Sequence, residues 1–304
     1  MSDLLILPYA SFGLSVFALP SHGSRNGWCG EWRMRICDNV KGHVDSSLDG
    51  ASSAGKVVVQ LFKASCGKIS CPICYEKAIG KMAIRIEWKF QHFIDSQYVK
   101  HVTVSVPKEL YGVDAKKLRV LAISMLKKVG AHGGCIVYHP WRQKCAECGS
   151  ELEVEFGEKV CSECGSLFNV WVPSEHFHSI CVGKINGRKV KELYDEKGWV
   201  VVNLGVRKSI RATAHYQLSH CGVAKGFSNV VWFGSMSRPK RKIPCLPPEK
   251  HECPICGEDM KKPPLDPWMV QLMKSGFMED VEEGFYFADP EMFSYWDPWD
   301  GEGG

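Results

Sequence analysis

No GxxxxGK[ST] phosphate loop occurs anywhere in the chain, so it encodes no P-loop motor. Nor is there an uninterrupted apolar run long enough to cross a bilayer. The nearest approach, LLILPYASFGLSVFALP, is broken by Pro8 and preceded by Asp3 rather than by Lys or Arg. It reads as strands or extended chain packed on a core, not as the apolar centre of a signal peptide. Basic charge is almost missing from the last 39 residues, where ten acidic side chains face Lys274 alone.

That tail carries a balance of −9, so the net charge of +4 leaves +13 on residues 1 to 265. A basic body calls for a polyanionic partner, because neutralising phosphates releases counterions and gives sequence-independent affinity. Nucleic acid is the default candidate. The tail also holds Trp268, Phe277, Phe285, Tyr286, Phe287, Phe293, Tyr295, Trp296 and Trp299. Negative charge with stacking rings is the chemistry of a single strand, so the tail is a candidate occupant of a DNA groove or a recruiter of a partner.

Cysteine is plentiful, with fifteen in 304 residues, and eight of them form four CxxC pairs: Cys71/Cys74, Cys145/Cys148, Cys161/Cys164 and Cys253/Cys256. The even scatter of a short secreted disulfide scaffold is missing. Two thiolates at this spacing on a tight knuckle chelate one zinc, which points to a reducing, cytoplasmic compartment. Cys145, Cys148, Cys161 and Cys164, as two CxxCG knuckles, make a closed site of four thiolates: a zinc ribbon with no open position for chemistry. Upstream, CGKISCPIC gives Cys66, Cys71 and Cys74, with Cys37, His43 or Cys29 as the fourth ligand, Cys37 being the one assigned. Downstream, Cys245, His251, Cys253 and Cys256 offer a third zinc.

YEKAIGKMAIRIEWKFQHFIDSQ places Ile79, Met82, Ala83, Ile86 and Phe90 at helical spacing, with Lys77, Lys81, Arg85 and Lys89 on the other face. KHVTVSVP alternates as a strand, DAKKLRVLAISMLKKVG reads as a helix ending at Gly130, and GGCIVYHPWR as a second strand. After the ribbon, VWVPSEHFHSICVG and WVVVNLGV read as strands, SIRATAHYQLSHCG as a helix stopping at Gly222, and NVVWFGSMS as a last strand. The order predicts an α+β sheet with helices on one face. Three regions are expected: residues 1–97, zinc-binding with a basic helix; 98–236, with the ribbon inserted at about 143–168; and 237–304, a basic linker, zinc knuckle and acidic tail.

The histidines carry the chemistry. Successive strand side chains alternate faces, so His176 and His178 in EHFHSICVG point the same way, ~7 Å apart, and can close on one metal ion. In the helix, Ile210, Ala214, Leu218 and Cys221 make the stripe that should face the core, while Tyr216 and His220, four apart, are neighbours on another side. If that side meets the strand of His176 and His178, His220 is a third ligand and Tyr216 a nucleophile beside the ion. Glu175 points to the opposite face and ranks below His220. His139 ends a strand that could neighbour the pair, and Arg142 could bind phosphate. SRPKRK adds Arg238, Lys240, Arg241 and Lys242 as candidate DNA-backbone contacts.

An alternating strand HVTVSVP, a His-hydrophobic-His strand HFH, and a helix with tyrosine in YQLSH, in that order, resemble the three-motif layout of HUH endonucleases. The chain is most similar to the rolling-circle replication initiators of archaeal plasmids and viruses. Their zinc-knuckle segment resembles CGKISCPIC, and their HPWR-like and WFGS-like segments resemble HPWR and WFGS here. The resemblance spans roughly residues 30 to 240. It departs from the commonest initiator pattern at Ser219, where a lysine would follow the tyrosine three residues on. Lys208 or Lys225 would have to fill that helper role, and Tyr216 with His220 is closer to the single-tyrosine transposases of the superfamily, where a glutamine ligand sits four residues after the tyrosine.

The resemblance implies a central antiparallel sheet with helices on its faces, and Mg²⁺ or Mn²⁺ held by His176, His178 and a third group. It also implies attack by Tyr216 on single-stranded DNA at a replication origin, giving a 5′-phosphotyrosine and a free 3′-hydroxyl. A host helicase and polymerase would be partners, and Lys208 would join the DNA contacts. The competing expectations are a single-tyrosine transposase, a zinc-ribbon nucleic-acid-binding protein without catalysis, and a zinc redox protein.

Overall fold

The computed structural model describes residues 16–43, 47–48, 51–52, 54–93, 98–150, 161–166, 169–237, 246–262, 279–282 and 285–288. Arg238, Lys240, Arg241, Lys242 and Cys245 lie outside these residues, as does most of the acidic tail. The strands are β1 (Trp32–Cys37), β2 (Ser47–Leu48), β3 (Ala51–Ser52), β4 (Val57–Lys63), β5 (Val99–Ser105), β6 (Ala131–Cys145), β7 (Asn169–Gly183), β8 (Val200–Val206), β9 (Val231–Gly234), β10 (Glu279–Glu282) and β11 (Phe285–Ala288). The helices are α1 (Tyr75–Gln91), α2 (Ala115–Lys128), α3 (Gly187–Lys197) and α4 (Ile210–Ser219). The class is α+β with antiparallel sheets.

The three consecutive regions expected from composition give way to a different division. Residues 1–25 and 67–246 form one unit, and residues 26–66 and 247–304 form the other. The cause is pairing across sequence: in the second unit the sheet order is β1-β4-β11-β10, and tail residues Phe285 and Ala288 pair with Gln60 and Val57. Phe287 is buried in that sheet, so its ring is committed to a core and not to a nucleic-acid groove.

The first unit is built on a five-stranded antiparallel sheet ordered β8-β5-β7-β6-β9. Side-chain parity divides its two faces. Val102, Val104, Ile136, Tyr138 and Phe177 pack against Leu118, Ala122 and Leu126 of α2. On the other face Val99, Cys135, Val137 and Ile180 meet Ile79, Ala83, Ile86 and Phe90 of α1 and Ile210, Ala214 and Leu218 of α4. Helices therefore cover both faces, where the linear pattern alone suggested one. Burying a Leu, Ile or Phe on either side contributes roughly 1.5–3 kcal/mol.

Local chemistry sets the helix starts. The Asp114 carboxylate accepts from Lys116 N and Lys117 N at 3.1 Å, Asn186 caps α3 in the same way, and Ser209 Oγ accepts from Ala212 N at 3.0 Å at the head of α4. Helix α3 has no counterpart in the sequence reading, because its sequence is mostly charged and its apolar face is short, with Leu193 buried and Val190 packed beside it. Strands β1 (WRMRIC) and β4 (VVVQLFK) lie in residues 20 to 75, a stretch rich in Gly, Ser, Cys and His that gives no clear run of strand signals. Among the described residues no helix is long and apolar enough to cross a membrane.

Candidate metal and nucleophile site

The two longest strands, β6 and β7, supply the floor of the site. Their register sets His139 opposite His176, and His178 opposite Val137, with Ser105 and Thr103 of β5 completing the rows on the far side of β7. Between His139 and Trp141 the register slips by a residue. Pro140 stands in that slip; it has no N–H to donate, and a bulge is the position where a central strand tolerates it. On this face α1 and α4 cover the apolar part of the sheet, and the imidazoles occupy the part beyond.

His139, His176 and His178 bring one ligand atom each to within 4.8 Å of one another, and all three are buried. The third place in this group belongs to His139, not to His220 as the helix spacing suggested. His220 is nonetheless close: its ring lies 4.3 Å from that of His139 and 5.9 Å from that of His178. It caps α4 at the C-terminal end, and Tyr216 one turn earlier has its ring 4.7 Å from His220 and 6.0 Å from His178. The helix stripe behaves as its spacing dictates, since Ile210, Ala214, Leu218 and Cys221 are all buried, leaving Tyr216 half-buried on the side of the histidines.

The helix end approaches closely because residue 222 is glycine. A Cβ there would lie 2.8 Å from Pro140 Cδ, inside contact distance. The Gly222 N–H also donates to the Tyr138 carbonyl at 2.9 Å, fastening the end of α4 to β6 next to His139.

Burial is the main cause of the electrostatics. It holds His139 and His178 well below the ordinary imidazole value, with the neighbouring histidines adding to the effect and the Gln217 carbonyl opposing it for His139. His176 is pushed down to about 3 by burial and then by Arg142. The rings are therefore neutral at pH 7, the form that can ligate. His176 Nδ1 donates to the Ser174 carbonyl at 2.7 Å, which leaves Nε2 with its lone pair. Apart from the Gln217 carbonyl, neither ring nitrogen of the fully buried His139 has a hydrogen-bond partner among the described residues. A buried, unsatisfied imidazole costs free energy unless something accepts its lone pair, and a cation does so.

Two residues that the motif reading passed over stand behind this cluster. His101 Nε2 lies 2.8 Å from His178 Nδ1, and Arg207 Nη2 lies 3.3 Å from His101 Nδ1. Burial, then Arg207, lowers His101 to about 4. The signal for His101 was present in HVTVSVP, but its relevance depends on β5 pairing with β7. Arg142 Nη2 donates to Ser105 Oγ at 2.7 Å beside His176. Lys208 is exposed between β8 and α4. Glu175 points to the other face, as alternation requires, and its Oε1 accepts from Gly112 N at 3.3 Å.

Three further groups can hold zinc. The ribbon occupies the tip of the β6–β7 hairpin, with Cys145 and Cys164 sulfurs 3.5 Å apart and Cys148 and Cys161 sulfurs also 3.5 Å apart. Cys66, Cys71 and Cys74 lie together in one short stretch at the head of α1, and Cys37, assigned to them, is not part of their group. Cys37 and His43 instead gather with Cys253 and Cys256. His251, expected in that set, is bonded to Arg35 Nη2 at 2.9 Å.

No family model, no curated protein and no solved structure matches this chain.

Proposed function

We propose that the protein nicks and rejoins single-stranded DNA through a tyrosine-linked intermediate, as an initiator of rolling-circle replication. One observation carries the reading: a tyrosine with its ring 6.0 Å from a buried, neutral histidine cluster on an antiparallel sheet, held there by a helix whose opposite stripe is core. Imidazoles packed this densely in a buried place are costly unless they share a cation, and a half-buried phenol beside them supports the reading of Tyr216 as the nucleophile.

In the proposed reaction Tyr216 Oη attacks the scissile phosphorus, forming the P–O(Tyr) bond as the bond to the 3′ oxygen breaks. The phenol proton passes to a neighbouring base, for which His220 or His215 is available, and the departing 3′ oxygen takes up a proton. When bound, a divalent cation held by His139, His176 and His178 supplies polarisation of the phosphate. Of the two expected ions, an all-imidazole donor set favours Mn²⁺ over Mg²⁺, which prefers oxygen ligands. Arg142 faces the same phosphate. The linkage conserves bond energy, so the 3′-hydroxyl can reverse the step and rejoin the strand. The balance of +13 over residues 1 to 265 supports a polyanionic substrate.

A second reading, single-tyrosine transposition, is favoured by His220 standing four residues after Tyr216 with serine at 219. The test for the shared chemistry is incubation with end-labelled single-stranded DNA and Mn²⁺. A denaturant-resistant adduct is expected from the wild type and none from Tyr216→Phe. Absence from both, or persistence in the variant, would contradict the reading, and rejoining of two different strands would favour transposition.

A further inference from the structure

Three CxxCG knuckles in this chain share one backbone pattern. At each, the first cysteine's N–H donates to the carbonyl five residues on, and the glycine N–H donates back to the first cysteine's carbonyl: Cys145 with Ser150 and Gly149, Cys161 with Ser166 and Gly165, Cys253 with Glu258 and Gly257. The three glycines have φ of 74°, 72° and 74°, the left-handed region where a Cβ would be strained. Two of the knuckles face each other as the ribbon. The third has no second knuckle, and Cys37 from the end of β1 and His43 from the following loop meet it instead.

We infer that Cys37, His43, Cys253 and Cys256 hold one structural zinc ion that fastens residues 247–262 to residues 26–66, and that the fold of this unit depends on it. The geometry fits a tetrahedron. Ligands ~2.3 Å (sulfur) and ~2.0 Å (nitrogen) from a common centre lie ~3.8 Å and ~3.5 Å apart. The Cys37 and Cys256 sulfurs are 3.6 Å apart, and Cys253 Sγ is 3.4 Å from His43 Nε2. His43 Nδ1 donates to the Lys56 carbonyl at 2.7 Å, which fixes the tautomer that aims the Nε2 lone pair at the sulfurs. Cys37, His43 and Cys253 are at most 2% exposed, so the imidazole has no access to water as an alternative partner.

Thiolate with one imidazole in a closed set selects zinc over harder ions. Binding releases three thiol protons to solvent while His43 binds neutral, so the filled site carries a net charge of −1. The unit needs such a link: its two described clusters bring together few fully buried side chains, chiefly Ile36, Val59, Val58 and Phe287. Its pieces also come from distant parts of the chain, and closing so long a loop is entropically costly. The inference stands apart from the nicking reading.

The experiment uses the full chain and reads two quantities, zinc content by elemental analysis and amide exchange of individual strands. Cys253→Ser is expected to lose one zinc equivalent and to exchange at least tenfold faster at β1 and β4, with β5 and β7 unchanged. His43→Cys, which keeps four ligands, is expected to retain the zinc, and so is His251→Ala. Full zinc content in Cys253→Ser, or loss of zinc without faster exchange at β1 and β4, would overturn the inference. Should Cys253→Ser fail to fold, gradual chelation of the wild type gives the same reading: β1 and β4 still protected after the last zinc has left would overturn it.

Discussion

The ribbon and the histidine cluster sit on the same two strands and have opposite characters. At the hairpin tip, four thiols from one short stretch close on themselves, leaving no open position. Lower on the hairpin, three imidazoles from β6 and β7 share one face, with His101 of β5 against His178 and, from the end of α4, His220 and a phenol, Tyr216, beside them. Soft anionic ligands with every position filled make a staple; three neutral nitrogen ligands fill only part of an ion's coordination shell. The same hairpin thus carries a site suited to holding structure and the site to which we assign the proposed chemistry.

Breaking the second site alone should produce the largest effect. His178→Ala is expected to lower adduct formation roughly a hundredfold or more, with zinc content unchanged by elemental analysis. Cys148→Ser should do the reverse, removing one zinc while adduct formation on a short oligonucleotide stays close to the wild-type rate. Equal losses of activity in the two variants would erase the distinction between staple and reaction site.

A smaller effect tests how the helix is held over the cluster. Gly222→Ala places a Cβ against Pro140 Cδ and Phe17 Cδ1, at 2.8 and 3.1 Å. It should cost about 1–3 kcal/mol in thermal or denaturant unfolding and slow adduct formation several-fold while leaving the ribbon zinc in place. Wild-type stability and rate in this variant would mean that the approach of α4 to β6 is not what positions Tyr216.

The smallest effect belongs to the opposite face of the sheet. Burial raises the Glu175 carboxyl above its ordinary value. A folded-state pKa above the unfolded one means that folding favours the protonated form, a contribution present at low pH and lost as pH rises through the folded value. Glu175→Gln should therefore raise Tm at pH 7 by no more than about 2 °C, and the gain should vanish near pH 4. Activity should not change, because this side chain faces away from the histidines.

The ribbon was readable because all four ligands fall in twenty residues at knuckle spacing, and α4 because its stripe repeats at helical period. His176 and His178 were readable as a pair from strand alternation alone. Whatever depended on pairing was less legible: His139, visible only as the end of a strand that could neighbour the pair, reaches His176 through the β6–β7 register, and His101 reaches His178 only because β5 lies on the other side of β7. Knuckle spacing identified Cys253 and Cys256 but could not identify Cys37 and His43, more than two hundred residues away, over nearer candidates such as His251. The second unit as a whole was hidden for that reason, since a tail strand completes its sheet.

The most direct test of the central claim is to locate the covalent bond. After incubation with single-stranded DNA and Mn²⁺, nuclease trimming and tryptic digestion, mass spectrometry should find a nucleotide 5′-phosphate on the peptide spanning residues 212–225, attached at Tyr216. Attachment at another tyrosine, such as the exposed Tyr98 or Tyr194, or an unmodified 212–225 peptide from a reaction in which the DNA has been cut, would contradict it.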